Sequence, residues 1–154
     1  MNIFKKIYCR TFQTVFKWAL PILPYRQPKI LKSEAEVVSV LKDREKQSVL
    51  LVTDKGIRSL GLVDTLEKTI KNSKIDVVIF DETVPNPTTQ NVLDAVKMYK
   101  DNNCDAIIAF GGGSAMDAAK ETKAKIACPK KSLKQMKGIL KVNKKLPLLI
   151  AVPT

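Results

Sequence analysis

Three consecutive glycines, Gly111 to Gly113, follow five apolar residues and precede Ser114 at the start of a helical pattern. Glycine has no Cβ, so the backbone can take a positive φ and a bulky group can approach closely. The free N–H groups at a helix start, together with the positive end of the helix dipole, attract phosphate. This segment therefore predicts a phosphate-binding turn. The alternative is a tight strand-to-helix turn that holds no ligand.

Ser114 and Asp117 have the three-residue spacing of a capping box. In that motif the serine side chain accepts a hydrogen bond from the first helical turn, and the acidic residue bonds back to the cap residue. We therefore expect Ser114 to be the N-cap of the helix that follows the glycines.

Asp54 and Asn86 are polar residues placed where two other predicted strands end. An acid at a strand end can bind the two hydroxyls of an adenosine ribose, and it repels a 2′-phosphate, which favours NAD over NADP. For Asp54 a simple turn aspartate before Lys55 and Gly56 is the alternative. Asn86 lies between two prolines, and a ligand contact and plain turn chemistry explain it equally well.

Strands and helices must bring these residues together, and the apolar pattern indicates that strands and helices alternate along the chain. Strands are predicted at residues 48–53, 76–80, 106–110 and 147–152, and helices at 33–42, 62–72, 88–102 and 115–127, with Ser33 and Thr88 as caps. Alternation of this kind predicts an α/β fold: a Rossmann-like parallel sheet with helices on both faces, over residues 29–154. Because ligands bind beyond the carboxyl ends of parallel strands, Asp54, Asn86 and the glycines should meet at one edge.

Residues 1–28 have the pattern of a separate amphipathic helix that ends near Pro21 and Pro24. Within residues 1–25 its charges are all positive: Lys5, Lys6, Arg10 and Lys17. The longest uncharged run, residues 18–25, is too short to cross a membrane, and a signal peptide is not indicated. Two interpretations stay open, packing of the apolar stripe against protein and peripheral contact of residues 1–25 with an anionic membrane surface.

The chain carries 27 basic and 15 acidic side chains and a net charge of +12. Between Lys120 and Lys145 ten lysines accompany one acid and no aromatic residue. Binding of single-stranded nucleic acid normally adds aromatic stacking to such charge, so we expect a solvated lysine face and no nucleic-acid partner. The cysteines Cys9, Cys104 and Cys128 have no paired spacing, which predicts reduced thiols and a cytoplasmic protein.

Together these segments resemble the iron-containing (group III) alcohol dehydrogenase family. The matching residues are Val52–Lys55, Val84–Thr88, Gly111–Ser114 with Asp117 and Lys120, and Leu148–Thr154. The resemblance implies an oxidoreductase that moves hydride between NAD(P) and the carbinol carbon of an alcohol or aldehyde. The usual dinucleotide fingerprint has its glycines after the first strand and the acid later, which is the reverse of the order here.

The resemblance assigns cofactor binding to Asp54, Asn86, Gly112, Gly113, Ser114, Asp117 and Thr154. In that family the aspartate contacts the adenosine ribose, the asparagine lies beside the cofactor, and the glycines and serine bind the pyrophosphate. The threonine begins a second cofactor loop. The implied cofactor is NAD, with NADP less favoured, and the implied substrate of the full enzyme is an alcohol or aldehyde. The oligomeric state stays open, with a homodimer as one option.

The chain departs from the family in its metal ligands. The family holds its metal through one aspartate and three histidines of a helical domain, whereas this chain contains no histidine. We therefore interpret it as a truncated cofactor-binding domain with no catalytic or metal residues of its own, inactive alone, with iron only in the full-length enzyme. The alternatives are a domain of a zinc-dependent glycerol dehydrogenase-like enzyme and a non-catalytic nucleotide-binding module held at a membrane surface.

Overall fold

The computed structural model describes residues 10–11, 13–15, 17–18, 29–138 and 141–154. The chain divides into two compact units, Met1–Ile30 and Leu31–Thr154. In the first unit the seven described residues between Arg10 and Trp18 are helical. Most of the amphipathic helix predicted for residues 1–28, like Cys9, lies outside the described residues. Among those that are described, no helix has the length and apolar character needed to span a membrane.

Helices and strands alternate along the second unit. In chain order they are α1 (Glu34–Asp43), β1 (Ser48–Val52), α2 (Lys55–Ser59), α3 (Asp64–Asn72), β2 (Asp76–Phe80), α4 (Thr89–Asp101), β3 (Ala106–Gly111), α5 (Gly113–Ala127), α6 (Leu133–Met136) and β4 (Leu148–Pro153). The four predicted strands and the four longer helices are confirmed, with ends that agree within about two residues. The short helices α2 and α6 were not predicted.

The four strands form one parallel sheet in the order β2-β1-β3-β4. The central strands β1 and β3 are buried along their whole length, whereas the edge strands β2 and β4 are partly exposed. Five consecutive apolar residues before the glycines predicted a strand covered on both faces, and this is confirmed. The chain passes from β1 to β2 on one side and then crosses to β3 on the other, so the strand order reverses between β1 and β3.

Helices cover both faces of the sheet, as the alternation predicted. On one face α1 and α3 supply Val37, Leu41, Leu66 and Ile70, packed with Val49, Leu51 and Ile108. On the other face α4 and α5 supply Ala95, Tyr99, Ala118 and Ala119, packed with Leu50, Val52 and Ile107. Alternate residues of β1 therefore enter opposite cores, as the strand period of two requires. Each fully buried leucine or isoleucine contributes about 2 kcal/mol to stability.

Both predicted helix caps of α1 and α4 are present. Ser33 Oγ accepts a hydrogen bond from the Glu36 N–H at 3.3 Å, and Thr88 Oγ1 accepts one from the Asn91 N–H at 3.2 Å. The buried thiols Cys104 and Cys128 are free, as the cysteine spacing predicted. Burial raises the pKa of the Cys104 thiol, which keeps it protonated and unreactive.

The lysine-rich segment, residues 120–145, comprises the second half of α5 and most of the connection from α5 to β4. Its exposed lysines are Lys120, Lys130, Lys134, Lys137, Lys141, Lys144 and Lys145, in agreement with the predicted solvated face. Lys123, Lys125 and Lys131 are partly buried instead. The Lys125 ammonium donates to the carbonyl oxygens of Pro129 and Lys131 at 2.9 and 2.8 Å, so it holds the backbone after α5.

Candidate functional site

The glycine turn and Asp54 lie on neighbouring strands at the carboxyl edge of the sheet. β3 ends at Gly111, and Asp54 follows the end of β1 by two residues. A Cβ placed on Gly111 would lie 3.7 Å from Asp54 Oδ2, so the turn and the carboxylate are neighbours. The strand order reverses between β1 and β3, which is where open parallel sheets bind ligands. The structure therefore brings these two predicted site segments together.

The fold makes different demands on the three glycines. Gly111 has a φ of +137°, and a Cβ there would lie 3.0 Å from Ile57 Cδ1 and 3.3 Å from the Cβ of Ala115. A side chain at Gly111 would be both strained and crowded. At Gly112 and Gly113 an added Cβ would meet none of the described atoms within 4 Å. The fold thus requires only Gly111 to be glycine, and the bare backbone of the other two leaves open space beside the helix start.

The predicted capping box of Ser114 and Asp117 is wrong. α5 begins at Gly113, and its N-cap is Gly112, which has extended backbone and, within the described chain, no side-chain cap on the helix. Ser114 is therefore already inside the first turn, two residues beyond the N-cap position. The Asp117 side chain is 65% exposed, and its Oδ1 lies 3.4 Å from Lys120 Nζ. Because no side chain of the described residues caps the helix start, its N–H groups stay available to a ligand.

Asp54 is the N-cap of the unpredicted helix α2. Its Oδ1 accepts a hydrogen bond from the Ile57 N–H at 2.9 Å. For Oδ1, the alternative interpretation of Asp54 as a residue with a local structural role is therefore correct. Its other oxygen, Oδ2, faces Gly111 and accepts no hydrogen bond from the described residues. One carboxylate can thus cap a helix and keep one oxygen for a ligand hydroxyl.

An ion-pair network joins α2, which Asp54 caps, to α3. The Arg58 guanidinium lies 2.7 Å from Glu67 Oε2 and 3.5 Å from Asp64 Oδ1, and the Lys71 ammonium lies 2.7 Å from Glu67 Oε1. Hydrogen bonds from Lys71 and Arg58 lower the pKa of Glu67 below its ordinary value of 4.5, although partial burial opposes the shift. The network fixes α2, the helix whose N-cap is Asp54.

Glu67→Gln should lower the free energy of unfolding at pH 7 by less than about 1 kcal/mol, because such partly exposed pairs are screened by solvent. The pKa of Glu67 is lowered in the folded state, so its contribution is complete above 4.5 and is lost as the pH falls through the folded-state pKa. Urea unfolding of both proteins at pH 7 and pH 3 measures this. If the unaltered chain and Glu67→Gln differ in stability by the same amount at both pH values, the lowered pKa of Glu67 in the folded state is contradicted.

Asn86 occupies an exposed loop after β2 and has a φ of +55°. Asparagine takes this left-handed conformation more readily than most residues, so turn chemistry accounts for its presence. Its contact with a ligand stays a prediction. Thr154 directly follows Pro153, which pairs with Gly111 across β3 and β4, so the threonine lies at the same sheet edge as the glycines. Asp117 lies on an exposed face of α5, where its carboxylate pairs with Lys120, and its contact with a ligand also stays a prediction.

Iron does not fit the described part of the chain. No group of three or more histidine, cysteine, aspartate or glutamate side chains that could hold a metal ion occurs among the described residues. The full sequence contains no histidine. The arrangement at this sheet edge, with free helix N–H groups and one free carboxylate oxygen, suits phosphates and a ribose rather than a metal.

Residues 30–154 match a family model described as iron-containing alcohol dehydrogenase. Over 110 residues the chain is 36% identical to methanol:N,N-dimethyl-4-nitrosoaniline oxidoreductase of Mycobacterium sp. (strain DSM 3803 / JC1). The aligned region covers 71% of this chain and 26% of that protein. A crystal structure of 1,3-propanediol oxidoreductase superposes with a TM-score of 0.74 at 35% identity, over 79% of this chain and 31% of that one.

Sulfoacetaldehyde reductase from Bifidobacterium kashiwanohense, solved in complex with NAD+, superposes with a TM-score of 0.63 at 25% identity. That match covers 78% of this chain and 31% of the solved one. The chain therefore spans between about a quarter and a third of the length of the relatives that it matches.

Proposed function

This chain belongs to the iron-containing alcohol dehydrogenase family, and we propose that it is the dinucleotide-binding part of an NAD-dependent enzyme. The proposed enzyme interconverts alcohols and aldehydes or ketones by hydride transfer. In this assignment the chain binds and orients the cofactor, and the whole enzyme carries out the reaction.

The open space at Gly112 and Gly113 carries the proposal. A Cβ at either residue would contact none of the described atoms, so packing gives no reason for glycine there. A pyrophosphate that rests on the backbone does give one, because a side chain would occupy its place. The N–H groups at the start of α5 would donate to the phosphate oxygens, and the helix dipole adds to the attraction. Ser114, in the first turn, would add a hydroxyl donor.

The free oxygen of Asp54 supports NAD over NADP. Oδ2 lies beside the glycine turn, within the reach of an adenosine ribose whose pyrophosphate rests on that turn. Its negative charge would accept hydrogen bonds from the ribose hydroxyls and repel a 2′-phosphate. The NAD+ complex of the Bifidobacterium kashiwanohense relative agrees with this choice of cofactor. Asn86, Asp117 and Thr154 complete the proposed binding set on the strength of the family motif.

The bound dinucleotide would accept a hydride from the carbinol carbon of an alcohol. This chain's residues hold the cofactor for that transfer: the glycine turn fixes the pyrophosphate and Asp54 fixes the ribose. The family's iron has no ligand set among the described residues. We therefore expect this chain alone to bind NAD without forming NADH from methanol or 1,3-propanediol, which a spectrophotometric assay checks.

Binding of NAD or ADP-ribose at millimolar concentration should raise the thermal unfolding midpoint of the chain, and NADP should do so less. Asp54→Asn keeps an oxygen that can cap α2 but removes the charge. We expect it to reduce the preference for NAD over NADP by about tenfold, as measured by isothermal titration calorimetry.

The matched control is Asp43→Asn, which neutralises a carboxylate at the end of α1 and at the opposite edge of the sheet. It should leave both affinities unchanged. Failure of NAD and ADP-ribose to bind the unaltered chain would refute the cofactor assignment. Binding with an unchanged preference in Asp54→Asn would refute only the role of Asp54.

A further inference from the structure

A buried asparagine in the first turn of α4 closes the loop that carries Asn86. Asn91 is 9% exposed, and its Nδ2 donates to the backbone carbonyl of Glu82 at 2.7 Å. Its backbone N–H donates to Thr88 Oγ1 at 3.2 Å. One residue therefore binds both ends of the loop formed by residues 83–87.

Glu82 in turn is attached to the segment that presents Asp54. The two residues form an isolated antiparallel β-bridge, beyond the ends of the parallel strands. Next to the bridge, the Thr83 N–H donates to the Thr53 carbonyl oxygen at 3.3 Å. The backbone carbonyl that Asn91 holds therefore belongs to the strand-like segment that lies directly against Asp54.

Packing alone does not explain an asparagine at this position. Its helix neighbours Val92 and Ala95 are fully buried apolar residues. The Oδ1 atom of Asn91 is buried and has no partner among the described residues, which is unfavourable. The favourable contact of the side chain is the bond to the Glu82 carbonyl, which would otherwise lose a donor.

We propose that Asn91 is a positioning residue, which fixes the Asp54 carboxylate for the dinucleotide. It acts through the Glu82 carbonyl and the β-bridge, without touching the ligand. The inference rests on the proposed function, since it concerns affinity for the same cofactor.

Two variants test this role, with ADP-ribose and NAD as the titrated ligands. Asn91→Ala removes the donor to Glu82, and Asn91→Asp replaces it with an oxygen that repels the carbonyl while keeping the side-chain shape. Each should weaken NAD and ADP-ribose binding by about fivefold to tenfold. Thermal unfolding of each variant is measured first, and titrations are made well below the lower midpoint.

A double-mutant cycle with Asp54→Asn separates positioning from a general structural effect. If Asn91 acts through Asp54, the loss in the combined variant should be clearly smaller than the product of the two single losses. Asn102→Ala is the matched control, because its Nδ2 also donates to a backbone carbonyl, that of Met98 at 2.9 Å, at the far end of α4. Its ligand affinity should equal that of the unaltered chain.

The outcomes distinguish this inference from the proposed function. If the unaltered chain binds neither ligand, the proposed function fails. If it binds and both Asn91 variants bind equally well, the positioning role is wrong. Losses that multiply fully in the cycle would also overturn it, because Asn91 would then act independently of Asp54.

Discussion

Gly112→Val is expected to abolish the protection that NAD or ADP-ribose gives the chain against thermal unfolding. The new side chain would project into the space that we propose for the pyrophosphate, beside the first N–H groups of α5. The fold itself has room for it, because a Cβ at Gly112 meets none of the described atoms within 4 Å and the backbone has a φ of −77°. Differential scanning fluorimetry with and without ligand measures the effect.

The unliganded protein should lose little stability through this change. Valine is a poorer N-cap than glycine, which costs about 1 kcal/mol or less. Ala127→Val, at the last residue of α5, is the control that places the same side chain at the other end of the helix, and it should keep the full ligand-induced shift. Full protection of Gly112→Val by NAD would show that the glycines serve only the turn.

Gly111→Ala is expected to have the opposite result, a large loss of stability even without ligand. Alanine at a φ of +137° is strained, and its Cβ would lie 3.0 Å from Ile57 Cδ1. We expect a cost of about 2–3 kcal/mol, and therefore a fall in the unfolding midpoint of about 10 °C. Chemical and thermal unfolding of the purified variant measure it.

A second substitution separates the two causes of this loss. Ile57→Val removes the Cδ1 atom that lies closest to the new Cβ. In the Gly111→Ala background it should recover the part of the stability that is lost through crowding. The part that is lost through backbone strain should remain. An unfolding midpoint of Gly111→Ala equal to that of the unaltered chain would mean that the positive φ is not enforced.

The sequence predicted the fold well because its apolar runs are unambiguous. β1 and β3 are continuous apolar segments, a pattern typical of strands buried on both faces. Ser33 and Thr88 each precede a helical pattern and were identified correctly as caps. The predicted family is confirmed by the match over residues 30–154, and the predicted parallel α/β fold by the sheet and by the solved relatives.

The details of the site were less predictable. The start of α5 was misplaced because glycines can be extended or helical, so the serine and acid that follow gave a plausible but wrong capping box. The five residues of α2 are too few to show a helical period. The available signal for the cap of α2 was Asp54 itself, since aspartate is a preferred N-cap residue. Asn91 was overlooked because its importance comes from a long-range carbonyl contact, which no local pattern reports.

In the proposed function Asp54 both caps α2 and binds the ribose, and this double use would restrict how the domain could change its coenzyme. A switch to the phosphorylated dinucleotide requires loss of the carboxylate charge, yet the same residue caps α2. Replacement by alanine or arginine would therefore remove about 1 kcal/mol of helix stability along with the charge. Serine and asparagine keep a capping oxygen and lose the charge. Natural variants and engineered libraries with altered coenzyme preference should thus contain mainly these two residues at position 54.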